Sequence, residues 1–91
     1  MEITDINICE ATLVDVRTQE EYAISHIDRA INIPIDNIIN KIDELEKMRK
    51  PIILYCNSGV RSQEAVEILV LQGIQGVFNG GEMDNLNKQL R

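Results

Sequence analysis

The residues best suited to chemistry stand together in one stretch, Cys56-Asn57-Ser58-Gly59-Val60-Arg61-Ser62. The stretch follows an apolar run, Pro51 to Tyr55, that reads as a buried strand. It leads into a helix expected from Arg61 to Gln72, with Gly73 as its C-terminal stop. Passing from strand to helix within a few residues lets backbone amides face inward and form a concave nest for an anion. Gly59 supplies the backbone freedom such a cradle needs. The helix N-terminus adds a partial positive charge, and Arg61 adds a full one. A cysteine at the head of this loop is biased toward thiolate, its nucleophilic form. The competing reading is a buried, inert strand-end cysteine, because free Cys is among the most buried residue types.

Pattern also indicates the elements that must hold the loop. Besides Pro51–Tyr55, short runs rich in β-branched residues at Thr12–Val16, Ala30–Ile33 and Gly76–Asn79 read as strands, and Ile3 to Ile8 is a candidate edge strand. Thr18-Gln19-Glu20-Glu21 has the form of a capping box opening a short helix to about Ser25. Asp36 can cap a longer helix with Ile38, Ile42 and Leu45 on one face, ending near Lys47, Arg49 and Lys50. Met83, Leu86 and Leu90 form an apolar stripe on a last helix. Strands that are apolar throughout and alternate with helices predict an α/β fold, a small central parallel sheet with helices on both faces. Residues 1–91 are expected to form a single domain. In such sheets ligands bind at the carboxyl ends of strands. That places Asp15, at the end of the first strand, near the loop, where it either bonds loop groups or is a solvated strand-end carboxylate.

Composition narrows the functions. The net charge is −6, with no clustered Lys and Arg, which argues against a nucleic-acid partner. An acidic surface mildly repels small anions, so an anionic substrate has to be captured locally. No apolar run approaches the roughly 20 residues that span a bilayer, and the N-terminus has no signal-peptide pattern, so the expected location is cytoplasmic and away from membranes. In that compartment Cys9 and Cys56 are expected as free thiols. Two cysteines and His26 are too few for a structural zinc site, and neither a metal nor a cofactor is implied.

The chain resembles a rhodanese domain from one end to the other. Asp15-Val16-Arg17 followed by Glu21-Tyr22 is similar to the family's first signature. Ser25-His26-Ile27 with Ala30-Ile31-Asn32-Ile33-Pro34 is similar to its second, and Cys56 through Ser62 to its active-site loop. Gly80-Gly81 resembles the glycine pair before the last helix. Ser25 and Arg29 stand where the family usually has glycine, and Asn85 stands where many members have Trp, so local packing there is expected to differ.

The resemblance implies a thiosulfate sulfurtransferase in which Cys56 takes a sulfane sulfur as a persulfide and passes it to cyanide or a thiol. The amides of Asn57, Ser58, Gly59, Val60, Arg61 and Ser62 would hold the negative sulfur. Arg61 would attract the anionic donor or brace the loop. Asp15 and Arg17 are supporting residues, with Arg17 and Glu21 expected as a structural ion pair, His26 as structural and Cys9 as incidental. The implied partners are a small anionic sulfur donor, a thiol acceptor and a persulfide-carrying protein, acting on a monomer or weak dimer. Related phosphatases have one more residue between Cys and Arg to encircle a phosphate, so the four residues here suit a single sulfur atom. Two further rivals are arsenate reduction, which usually needs additional thiols, and a non-catalytic binding module.

Overall fold

The computed structural model describes residues 10–90. Four strands, β1 (Thr12–Asp15), β2 (Ile31–Asn32), β3 (Ile52–Cys56) and β4 (Val77–Glu82), form one sheet in the order β2-β1-β3-β4, and every pairing is parallel. The helices α1 (Gln19–Ile24), α2 (Ile42–Lys47), α3 (Val60–Leu71) and α4 (Met83–Gln89) complete the α/β architecture expected from the sequence. The candidate edge strand Ile3 to Ile8 and Cys9 lie outside the described residues.

Strand alternation sorts the core into two layers. Ile52, Leu54 and Cys56 of β3 pack with Val14, Val16, Ile38, Leu45, Ala65 and Leu69 on one face, under α2 and α3. Ile53 and Tyr55 pack with Leu13, Ile27 and Leu86 on the other, alongside Tyr22 of α1, Met83 of α4 and Leu90 just after it. Central β3 is buried along its whole length, so the chain leaving it emerges at the carboxyl edge of the sheet.

Three elements differ from expectation. The helix predicted from an Asp36 cap is a 3-10 helix, Ile35–Lys41, which Pro34 precedes and which runs into α2. Asp36 caps nothing; Asn37 N–H donates to the Pro34 carbonyl at 2.8 Å. The β-branched and Asn residues of this stretch favour the α-helix poorly, and the tighter turn still directs Ile38 and Leu45 into the core. β2 is shortened to Ile31–Asn32. β4 extends through the glycine pair, where Leu54 is paired with Asn79 and Tyr55 with Gly81, so that Gly80 bulges. A Cβ on Gly80 would lie 2.7 Å from Ile53 Cγ2 and 2.9 Å from Leu86 Cδ2, closer than any side chain permits. Arg29, at a position where the family places glycine, holds φ 64 and donates to the Ala11 carbonyl at 2.9 Å, so the left-handed turn is kept without glycine.

Candidate active site

Cys56 is the last residue of β3, and α3 begins four residues later. Its side chain shares the α3 face of the sheet and has no exposed surface. Burial alone would fit an inert thiol; the donors aimed at it do not. Gly59 N–H donates to Sγ at 3.0 Å, and Ser62 Oγ lies 3.5 Å away. Burial pushes the thiol up, but hydrogen bonds from Ser62, Ser58 and Gly59 outweigh it and leave the Cys56 pKa below its ordinary value. Gly59 sits at φ 93 as the N-cap of α3, and a Cβ there would come within 3.3 Å of Gly81 Cα. This conformation costs glycine nothing, and it lets the chain close over the sulfur.

Among the six loop residues expected to cradle the sulfur, Ser58, Gly59 and Ser62 direct groups at it. Val60 N–H faces the Ser58 hydroxyl instead, at 3.4 Å. Asn57 turns its side chain outward as a strut. Its Oδ1 accepts from Arg17 Nη1 at 3.2 Å and its Nδ2 donates to Glu21 Oε2 at 2.7 Å.

The expected Arg17–Glu21 pair is replaced by two others. Arg17, buried at 4% exposure, donates from its backbone N–H, Nε and Nη2 to the fully buried Asp15 carboxylate, with Nη2 to Oδ2 at 2.7 Å. A buried guanidinium needs a partner within its own pocket, and Asp15 supplies it. Asp15 is therefore not solvated, and it reaches the loop only through Arg17. Strand alternation is the reason: Asp15 shares the face of Leu13 and Tyr55, opposite Cys56.

Glu21 instead receives Arg61, Nη1 to Oε1 at 2.7 Å and Nη2 to Oε2 at 3.0 Å. The Arg61 hydrogen bond and that from the Thr18 backbone hold the Glu21 carboxyl well below the usual range. The same Glu21 completes the capping box of α1, accepting from Thr18 N–H at 2.9 Å. One carboxylate thus ties α1, Asn57 and Arg61 together. His26 stacks on Tyr22 with ring centroids 3.7 Å apart, and its Nδ1 lies 2.8 Å from the Tyr22 carbonyl, which accounts for it structurally.

Above the loop lies an open cleft of about 570 Å³ bounded by Ser58, Gly59 and Val60, by Gln63, Glu64 and Glu67 of α3, and by Asn79 and Gly81 of β4. Sequence reasoning missed Asn79, whose side chain bonds Gly59, Ser62, Gln63 and Gly81. The available signal was a polar residue at the carboxyl end of the strand beside β3, the edge where a parallel sheet collects its ligand-facing groups. Among the described residues no cluster of His, Cys, Asp and Glu could hold a metal ion, and no helix is long and apolar enough to cross a membrane.

Comparison with known proteins places these features among relatives. A family model for the rhodanese-like domain matches residues 3–81. The thiosulfate sulfurtransferase PspE of Escherichia coli is 34% identical over 74 residues, which cover 80% of this chain and 71% of that protein. The tRNA uridine(34) hydroxylase of Buchnera aphidicola is 33% identical over 73 residues, but the chain spans only 23% of its length. A crystal structure of a rhodanese-related protein from Thermoplasma volcanium superposes with TM-score 0.76 at 32% identity, covering 91% of this chain and 82% of that one. An E. coli rhodanese with anions gives TM-score 0.75 at 33% identity, covering 82% and 89%.

Proposed function

Because the chain belongs to the rhodanese-like domain family, we propose that it is a sulfurtransferase in which Cys56 carries the transferred sulfur. The observation that supports this most is the set of donors converging on Cys56 Sγ at the mouth of a parallel sheet. In the first step the thiolate attacks the outer sulfur of a donor such as thiosulfate or a persulfide. A Cys56 S–S bond forms, the donor S–S bond breaks, and sulfite or a thiolate leaves with the electron pair. The new persulfide is anionic, and the inward amides and the α3 N-terminus stabilise that charge as an oxyanion hole stabilises an alkoxide. In the second step a thiolate or cyanide attacks the outer sulfur and Cys56 leaves as thiolate. The likeness to a thiosulfate sulfurtransferase over most of its length supports the same chemistry. The larger relatives act on tRNA uridine, but the chain spans about a fifth of them, and its net charge of −6 gives little purchase on a polyanion.

The test is mass spectrometry of the protein after incubation with thiosulfate. One added sulfur atom, located on Cys56 and removed by cyanide as thiocyanate, is the expected result. Folded Cys56→Ser should gain none. A Cys56→Ser protein that still forms thiocyanate at the wild-type rate would sink the reading.

A further inference from the structure

Asn79 has no part in the two transfer steps, yet it is the hub of the polar contacts behind the nucleophile. Its Nδ2 donates to the Gly59 carbonyl at 3.1 Å and to Gln63 Oε1 at 3.2 Å. Its Oδ1 accepts from Gly81 N–H at 2.9 Å and from the Ser62 hydroxyl at 2.6 Å. A backbone carbonyl can only accept and a backbone amide can only donate, so the two ends of this side-chain amide cannot be exchanged. Ser62 is fully buried, and its hydroxyl has one proton, which lies toward Asn79 Oδ1. What Ser62 presents to Cys56 Sγ, 3.5 Å away, is therefore a lone pair. In the neutral thiol, S–H completes that contact as the donor. After ionisation the lone pair would face a thiolate, and the hydroxyl can help only by turning away from Asn79.

We propose that Asn79 is a positioning residue that acts through Ser62 on the ionisation of Cys56. It holds the Ser62 hydroxyl as an acceptor for the thiol proton, and ionisation turns that hydroxyl from Asn79 Oδ1 to sulfur. Only the S–H bond breaks, and its proton leaves to solvent while Ser62 keeps its own. Asn79 Oδ1 retains the Gly81 amide in both arrangements, so the turn leaves no orphaned acceptor. A hydrogen bond made to the neutral form favours that form. Asn79 thus restrains the thiolate that the loop amides and the turned Ser62 hydroxyl promote, and releasing the hydroxyl removes the restraint. The other charges around Cys56 are Arg61 with Glu21, the Asp15–Arg17 pair beside β1, Glu82 opposite Cys56 on β4, and Glu64 and Glu67 of α3 on the cleft beside the loop. None of them changes in the variants below. The inference rests on Cys56 as the nucleophile proposed above, but on no particular donor.

The experiment titrates Cys56 by ultraviolet thiolate absorbance and by the pH profile of iodoacetamide alkylation, in a Cys9→Ser background so that one thiol reports. Asn79→Ala is expected to lower the apparent Cys56 pKa by about half to one unit, with alkylation below that pKa faster by roughly three- to tenfold. In a Ser62→Ala background the same substitution should change nothing. A purely structural Asn79 predicts the opposite sign, because loosening Gly59 would withdraw its amide from sulfur. A rise in pKa, or an equal fall without Ser62, overturns the proposal. A second readout needs no Asn79 variant: the infrared S–H stretch should lie at the lowered frequency of a donating thiol and move to the free-thiol position in Ser62→Ala. A free-thiol band in the Ser62-containing protein overturns the proposal by itself. Both readouts are taken without a sulfur donor. Failure to form a persulfide while these results hold would therefore count against sulfur transfer and not against the Asn79–Ser62 relay.

Discussion

Arg61 shows how one side chain's partners decide between two roles. The residue types allow it to recruit an anionic donor or to brace the loop; the geometry commits both Nη groups to Glu21. Hydrogen bonding to Glu21 raises its pKa, and much of its charge is answered locally. A fork-shaped, partly exposed pair of this kind contributes on the order of 1 kcal/mol to holding its segment. Arg61→Ala is therefore expected to lower kcat/KM for thiosulfate and for an uncharged persulfide by similar factors, roughly tenfold, with little dependence on salt. Arg61→Lys, which keeps the charge but not the fork, should recover only part of the loss. A defect confined to thiosulfate and erased by salt would return Arg61 to recruitment.

At the scale of elements, two features join the site to the scaffold. The bulge in β4 brings Gly80 against Ile53 and Leu86, and there is no space for another carbon. Gly80→Ala should destabilise the protein by roughly 1–3 kcal/mol through overpacking, read as a lower urea midpoint. An unchanged midpoint would mean the sheet can part there at no cost. The second feature is Glu21, which links the start of α1 to the loop. Its folded-state pKa is depressed, so its contribution to stability is fully present above the ordinary Glu range and is lost as pH falls below it. Glu21→Gln retains a capping side chain but not the charge. It should be less stable by about 1 kcal/mol near neutral pH, and the gap should close in acid. A gap that persists to the lowest pH at which both proteins fold would show that the carboxylate charge is not its source.

For the whole molecule, the sign of the field matters more than any one contact. The chain carries −6 overall, and Glu64 and Glu67 line the cleft beside the loop that follows Cys56. Among the described residues neither makes an ion pair. Such a mouth disfavours small anions and favours neutral or cationic sulfur carriers. The double variant Glu64→Gln/Glu67→Gln should raise kcat/KM for thiosulfate by roughly two- to tenfold at low ionic strength, leave an uncharged donor unaffected, and converge on wild type as salt screens the field. Equal effects on both donors would point to altered packing of α3 instead.

Local chemistry made much of this protein legible in the sequence. β-branched runs marked the buried strands β1 and β3 and the short β2, which is not buried; Thr18 and Glu21 marked the start of α1, Gly73 the end of α3, and Cys56 to Ser62 the loop, because each depends on residues within a few positions of one another. The 3-10 helix was missed because Pro34 and weak helix formers prevailed over an apolar pattern that both helix types share. The partners of the charged groups were decided only by the tertiary structure. Arg17 could pair with Asp15 or Glu21, and Arg61 with Glu21 or a donor, and all these choices satisfy local rules equally. The outcome follows from strand alternation, which puts Asp15 on the face away from Cys56 beside buried Arg17, and from the packing that brings α1 to the mouth of β3. Asn79 meets Ser62 and Gly59 for the same reason: parallel pairing aligns the ends of β3 and β4, which are distant in sequence and adjacent only once the sheet has formed.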